Sequence, residues 1–251
     1  AFLRHRMASA AVRSDWLRAL AGAIQTRAEK FANLIQLEAG KPIKLARIEV
    51  RRALTTFTLA AEEARQPQGA ILALDAFPTG AGHHGMMRRF PLGVVAAITP
   101  FNFPLNLVAH KVAPALASGN SVIVKPSPRT PLTALLLAEA AEAAGIPAGM
   151  LNVVTCSNSE IAEWLGDTQV RMLSFTGSCG VGKSLHAMCT GKRCTLELGG
   201  SAPVLVHKDA DLEAAVPLIA SAAFSYAGQS CISVQRVLVE ESRYDAVDRK
   251  S

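Results

Sequence analysis

Between Leu92 and Val206 the chain repeats one arrangement: a short run that is apolar throughout, a turn, and then a longer span whose apolar residues recur at helical spacing. The runs are residues 93–98, 121–124, 151–154, 171–175 and 203–206, and the helical spans lie around 105–116, 132–144, 160–165 and 182–188. Successive residues of a strand point to opposite faces, so a run that is apolar on both faces must be covered on both. Parallel neighbours also need a crossover, which the intervening helices supply. The pattern therefore predicts an α/β fold, a doubly wound parallel sheet of the Rossmann-like kind. Such sheets bind ligands beyond the carboxyl ends of their strands, where Thr99, Lys125 and Thr176 fall.

Ahead of this repeat, Trp16, Leu17, Leu20, Ile24, Phe31, Leu34, Ile35 and Leu37 keep helical spacing as far as Gly40, with Pro42 as a stop. A second helical pattern covers 43–65. Residues 69–90 read as two extended runs about a turn region at 78–85, a β-hairpin set apart from the sheet. Half of the 251 residues are hydrophobic and 18% are charged, which excludes a disordered chain. Aromatic residues make up only 5%, too few for a base-stacking surface. The stretch from Phe90 up to Lys111 is uncharged and long enough to cross a bilayer, but Pro91, Pro100, Asn102 and Pro104 interrupt any helix through it, so no membrane span is expected.

The net charge of +6 resides entirely in residues 1–65, which hold 12 Lys and Arg against 6 Asp and Glu. Arg13, Arg27, Lys44, Arg47, Arg51 and Arg52 are spread over two helical patterns without clustering, the pattern of a solvated face rather than of a nucleic-acid surface. Cys156, Cys179, Cys189, Cys194 and Cys231 are odd in number and form neither a CxxC pair nor a Cys/His zinc spacing. A reducing compartment, the cytoplasm, and no metal site are expected.

Residues 177–184, Gly-Ser-Cys-Gly-Val-Gly-Lys-Ser, fit the phosphate-loop pattern GxxxxGK[ST] between a strand and a helix, and alone suggest a nucleotide triphosphatase. That reading also needs a second strand ending in a magnesium-binding Asp. The nearest, 204–206, runs through His207 and Lys208 before Asp209. Amides at a helix N-terminus attract phosphate in either case.

Four further stretches carry chemistry. Thr99-Pro100-Phe101-Asn102-Phe103-Pro104 follows one strand, Lys125-Pro126-Ser127-Pro128 the next, Glu197-Leu198-Gly199-Gly200 comes later, and Gly228-Gln229-Ser230-Cys231 follows. An accessible thiolate at Cys231 can attack a carbonyl carbon, whereas a buried thiol there is inert. Glu197, beside two leucines and two glycines, is either a strand-end surface carboxylate or, if burial raises its pKa, a base. Asn102, between two prolines, is either an Asx-turn residue or an amide donor for an oxyanion. Lys125 is either a solvated strand-end lysine or a cation for a ribose or phosphate.

In this order, between these strands and helices, the four stretches resemble the NAD(P)-dependent aldehyde dehydrogenase superfamily over nearly the whole chain, and residues 175–178, Phe-Thr-Gly-Ser, become that family's strand-to-helix cofactor turn. The resemblance implies aldehyde oxidation to a carboxylic acid, with Cys231 as nucleophile, Asn102 and the Cys231 amide holding the oxyanion, and Glu197 activating water on the thioester. It implies NAD or NADP contacts at Phe101, Asn102, Lys125, Pro126, Ser127, Pro128, Gly177, Ser178 and Leu198. Short polar aldehydes such as semialdehydes, lactaldehyde or phosphorylated glyceraldehyde are the implied substrates, with no nucleic-acid or membrane partner. Its domain plan is N-terminal helices of the cofactor domain at 1–68, an oligomerisation hairpin at 69–90, a dinucleotide-binding domain at 91–200 and the start of a second α/β, catalytic domain at 201–251. A homo-oligomer is expected of the full-length form.

Three departures stand out. NAD-preferring relatives often carry a Glu three positions after the lysine; here Pro128 occupies it beside Arg129, so tolerance of NADP is expected. Cys156 stands where relatives commonly show Gly. Family chains run to roughly twice this length, so the sequence is expected to be a fragment or a truncated member, and a catalytically silent dinucleotide-binding or interaction module is the alternative.

Overall fold

Strands β3 (Val94–Ile98) and β4 (Ser121–Lys125) are buried almost residue by residue, as strands apolar on both faces require. They lie parallel in register from Val94 opposite Ser121 to Ile98 opposite Lys125. β5 (Leu151–Val153) continues the sheet beyond β4, and β6 (Val170–Gly177) pairs with the other side of β3, both parallel. With β7 (Arg193–Leu198) the order is β5-β4-β3-β6-β7. The chain thus fills one half of the sheet and then the other, and the order reverses between β3 and β6. That reversal is the place where doubly wound sheets open a crevice at their carboxyl ends.

The computed structural model describes residues 1–66 and 69–249; the expected boundary at residue 68 and the last two residues of the expected 201–251 segment lie outside them. The chain divides into two compact units, residues 1–175 with 186–195, and residues 176–185 with 196–251.

In the first unit, α1 (Phe2–His5), α2 (Ala10–Thr26), α3 (Ala28–Ala39) and α4 (Ile43–Glu63) precede the sheet, while α5 (Asn106–Ala117), α6 (Leu132–Ala143) and α7 (Ile161–Gly166) connect its strands. Leu17, Leu20, Ile24, Phe31, Ile35 and Phe57 are fully buried, and they join Val95, Ala97, Val122 and Val124 from one face of the sheet in a single apolar core. The intervening Ala96 and Ile98 are buried as well, so both faces of β3 are covered. The long helix expected to run to Gly40 is instead two, parted at Arg27, whose φ of −107° and ψ of 17° leave the helical region. No Gly or Pro marks the break. The stop is as expected: Gly40 has φ 63°, a left-handed cap that a residue without Cβ adopts at no steric cost.

Side chains close the joints between elements. The Glu38 carboxylate at the end of α3 accepts the Leu132 and Thr133 amides that open α6, at 2.8 and 2.9 Å. These donors have no partner inside their own helix. Asn120 Oδ1 accepts the amides of Leu92 and Gly93 at 2.7 and 3.0 Å, tying the start of β3 to that of β4. The hairpin is antiparallel, with β1 (Gly69–Leu72) against β2 (Gly85–Arg88) in register Gly69 to Arg88. Phe57→Ala removes a fully buried ring from the side of α4 that faces this core. It is expected to lower the free energy of unfolding by about 3–5 kcal/mol, read from urea unfolding curves of the full-length protein.

The second unit takes in the first turns of α8 (Cys179–Met188), then β8 (Pro203–Val206), α9 (Leu212–Phe224), β9 (Arg236–Val239) and α10 (Tyr244–Asp248). β8 and β9 are parallel, pairing Pro203 with Arg236 through Val206 with Val239. Asp211 caps α9 through the amides of Glu213 and Ala214, and Val206, Leu212, Val216 and Val247 form a small core. Neither β7 nor β9 was among the expected strands; both carry Arg at the first position and alternate or expose their residues, so they lack the apolar signature of the sheet's centre.

Candidate active site

In the first unit, the segments that follow β3 and β4 lie side by side, as the parallel register demands. The Thr99 amide donates to the Lys125 carbonyl at 3.2 Å, and the Arg129 guanidinium lies 5.3 Å from the centroid of the Phe101 ring. Pro126 is buried, while Ser127 is half-buried and Pro128 exposed. Ser127 Oγ accepts the Arg129 amide and its carbonyl accepts the Thr130 amide, a tight turn that keeps the strand end open. Lys125 is only 3% exposed and has no ion-pair partner among the described residues. A lysine so held, with the Asn102 amide and the Ser127 hydroxyl on the segments that follow the same two strands, offers groups able to donate to ligand oxygens. Cys156, close enough for Lys125 to act on it, has its thiol pushed up by burial, with Glu160 adding to the rise and Lys125 opposing it.

Asn102 sits in a loop held by two buried charges that the sequence reading passed over. Lys41, 1% exposed, donates to Glu49 Oε2 in a short ion pair and to the Asn102 carbonyl at 2.7 Å, and its ammonium lies 3.9 Å from the Phe103 ring centroid. Glu49 Oε1 accepts the amides of Leu105 and Asn106 at 2.9 and 3.1 Å. A charge inside an apolar helical stripe, Glu49 three residues after Ala46 and four before Ala53, was the available signal. His110 and Lys111, whose helix-face reading competed with substrate contact, divide: His110 is exposed, and Lys111 is buried with its ammonium donating to Ser174 Oγ at 3.1 Å.

In the second unit, Gly177 ends β6 and Ser178 leads directly into α8. The helix begins at Cys179, and the Gly182 amide already donates to the Ser178 carbonyl at 2.9 Å. Residues 179–183 are therefore wound into helix and cannot encircle a triphosphate, and Ser184 Oγ is bonded to the Gly180 carbonyl at 3.1 Å. The phosphate-loop match is a coincidence of spacing.

Cys231 is exposed, at the end of a tight loop. Tyr226 and Ala227 have φ of 52° and 53°, two consecutive non-glycine residues in the left-handed region, and the Gln229 amide donates back to Tyr226. Strain of this kind persists only where the surroundings impose it, and it concentrates at functional loops. Ser233 anchors the far side through Oγ to the Ala223 carbonyl at 2.9 Å. Gly200 approaches the same loop so closely that a Cβ there would lie 3.2 Å from the Cys231 carbonyl oxygen. The segment carrying Glu197 and Leu198 is thus led to the thiol loop, and only glycine permits the approach without displacing it. The burial considered for Glu197 is not found: its side chain is exposed, on the open face of β7, while Leu198 is half-buried. Of the other thiols, Cys189 is buried and pushed up to about 11 by burial and by the neighbouring Cys194. Among the described residues no group of three or more His, Cys, Asp or Glu gathers to hold a metal ion, and no helix is long and apolar enough to cross a membrane.

The first unit thus carries a doubly wound parallel sheet with a buried lysine at the end of β4, and the second unit carries an exposed thiol on a strained loop. The model of the aldehyde dehydrogenase family matches residues 1–250, and the chain belongs to that family. It is 46% identical over 239 residues to a 3-sulfolactaldehyde dehydrogenase of Priestia aryabhattai, covering 95% of this chain and 50% of that protein. A crystal structure of an aldehyde dehydrogenase from Brucella melitensis biovar abortus 2308 superposes with a TM-score of 0.94 at 42% identity, over 100% of this chain and 52% of that one. An NADP-dependent glyceraldehyde-3-phosphate dehydrogenase from Bacillus halodurans C-125, complexed with NADP, gives a TM-score of 0.94 at 37% identity, over 98% of this chain and 52% of that one. The chain spans about half the length of the relatives it matches.

Proposed function

We propose that this chain works in an enzyme that oxidises a short polar aldehyde to its carboxylic acid with NAD or NADP. The observation that carries the reading is the approach of Gly200 to Cys231, which joins the segment bearing a carboxylate to a loop bearing an exposed thiol. The Cys231 thiolate adds to the aldehyde carbon, and the Asn102 amide with the Cys231 backbone N–H stabilises the oxyanion that forms. NAD or NADP, when bound, takes up the hydride. Glu197 then draws a proton from the water that cleaves the Cys231 thioester and frees the acid. Phe101, Asn102, Lys125, Pro126, Ser127, Pro128, Gly177, Ser178 and Leu198 are the residues to hold the dinucleotide. The domain plan follows from the same reading: cofactor domain with helices at 1–68, hairpin at 69–90, dinucleotide-binding part at 91–200, and from 201 onward the start of a catalytic domain. The relatives named for 3-sulfolactaldehyde and glyceraldehyde-3-phosphate support a short polar aldehyde as the substrate class. The hairpin exposes Ile71 and Met86 at 89% and 80%, an apolar surface suited to joining a second copy in a homo-oligomer.

The test is NAD(P)H absorbance of the full-length protein with a panel of short aldehydes. Reduction that depends on aldehyde is expected; none with any aldehyde favours a silent dinucleotide-binding module. Because Pro128 offers no carboxylate to repel a 2′-phosphate and Arg129 adjoins it, NADP is expected to bind with a Kd within about tenfold of that for NAD. Tight NAD binding without measurable NADP binding contradicts this.

A further inference from the structure

The loop from Thr99 to the start of α5 has few means of holding itself. Pro100 and Pro104 contribute no N–H, and the amides that open α5 have no carbonyl within the helix to donate to. Both needs are met from α4 and the turn before it. Lys41 takes the Asn102 carbonyl and packs on the Phe103 ring, while Glu49 takes the Leu105 and Asn106 amides. The two charges neutralise each other, and every member of the set is buried or partly buried. An apolar pair of similar volume often stabilises a fold as well as or better than a buried ion pair does, so stability alone is a poor reason for this arrangement. What an apolar pair lacks is directional hold on backbone atoms either side of one residue.

We propose that Lys41 and Glu49 are positioning residues: from opposite ends they fix the backbone that carries Asn102, so that its side-chain amide is oriented before an oxyanion develops. The proposal rests on the reading of Asn102 as oxyanion donor and extends it to two buried residues that act through its backbone. Preorganisation of this kind matters because a donor earns its catalytic value only when it need not reorganise during the reaction, and a misplacement of about 1 Å can cost about 10²-fold in rate.

The test is a mutant cycle in the full-length protein, with kcat and thermal unfolding read together. The variants are Glu49→Gln, Lys41→Met and the paired Lys41→Met/Glu49→Leu, each with and without Asn102→Ala. Single replacements strand a buried charge and destabilise the protein; the paired replacement removes both charges and is expected to keep the fold. In the otherwise unsubstituted enzyme the paired replacement is expected to lower kcat about 10- to 100-fold. In the Asn102→Ala background it should change kcat by less than about twofold, because a device that acts through Asn102 has nothing left to orient. Equal losses in both backgrounds, or full kcat in a folded paired variant, overturn the proposal. So does failure of all three variants to fold, which assigns the pair to stability alone. If the unsubstituted protein forms no NAD(P)H with any aldehyde, it is the activity reading that has failed, and the proposal falls with it.

Discussion

Cys231→Ala is expected to lower aldehyde-dependent NAD(P)H formation by about 10³-fold or more, the scale on which loss of a covalent nucleophile is felt. Alanine leaves the loop intact, since the strain lies at Tyr226 and Ala227 and the anchors are the Gln229 amide and Ser233 Oγ, none of which involves the thiol. Cys179 is also exposed, so Cys179→Ala serves as the control; Cys156 and Cys189 are poorly suited to take over. Cys189 is buried with its thiol pushed up to about 11, leaving it almost entirely protonated near neutral pH, and burial also pushes Cys156 up. Retention of more than about a tenth of the activity, measured as kcat/KM with saturating cofactor, shows that the nucleophile lies elsewhere.

Asn102→Ala is the second large effect, with kcat expected to fall about 10²–10³-fold. An oxyanion donor acts on charge that develops during the reaction, so the aldehyde KM should move far less than kcat. The substitution leaves the Lys41 bond to the loop untouched, because that bond goes to the backbone carbonyl. A raised KM with unchanged kcat makes Asn102 a binding residue and removes it from the chemistry.

The ends of β3 and β4 were legible because a buried parallel strand announces itself by composition, and the residues just past it are where such sheets bind ligands. That alone led to Thr99, Lys125 and Thr176, whereas Asn102 came from its proline-flanked motif and the family resemblance. β7 and β9 were not legible, since a strand with Arg at its start and alternating or exposed residues looks like a loop until its neighbour is known. The parting of α2 from α3 at Arg27 was equally silent, with no residue there whose backbone chemistry stops a helix. The phosphate-loop pattern, set aside in the sequence for want of a magnesium-binding Asp, fails in the structure as well, because the helix begins at Cys179, inside the residues that would have to form the loop.

The sequence by itself determined the doubly wound sheet, the hairpin, the helix stop at Gly40 and the family, because each depends on periodicity, on local backbone chemistry or on motifs in fixed order. Only the tertiary structure decided that Glu197 is exposed and that Gly200 meets the Cys231 loop. It also decided that Lys41 and Glu49 clasp a loop 61 and about 56 residues further on. Burial and contact are properties of what the chain brings together from distant positions, and no local pattern of residues encodes which partner a buried charge will find.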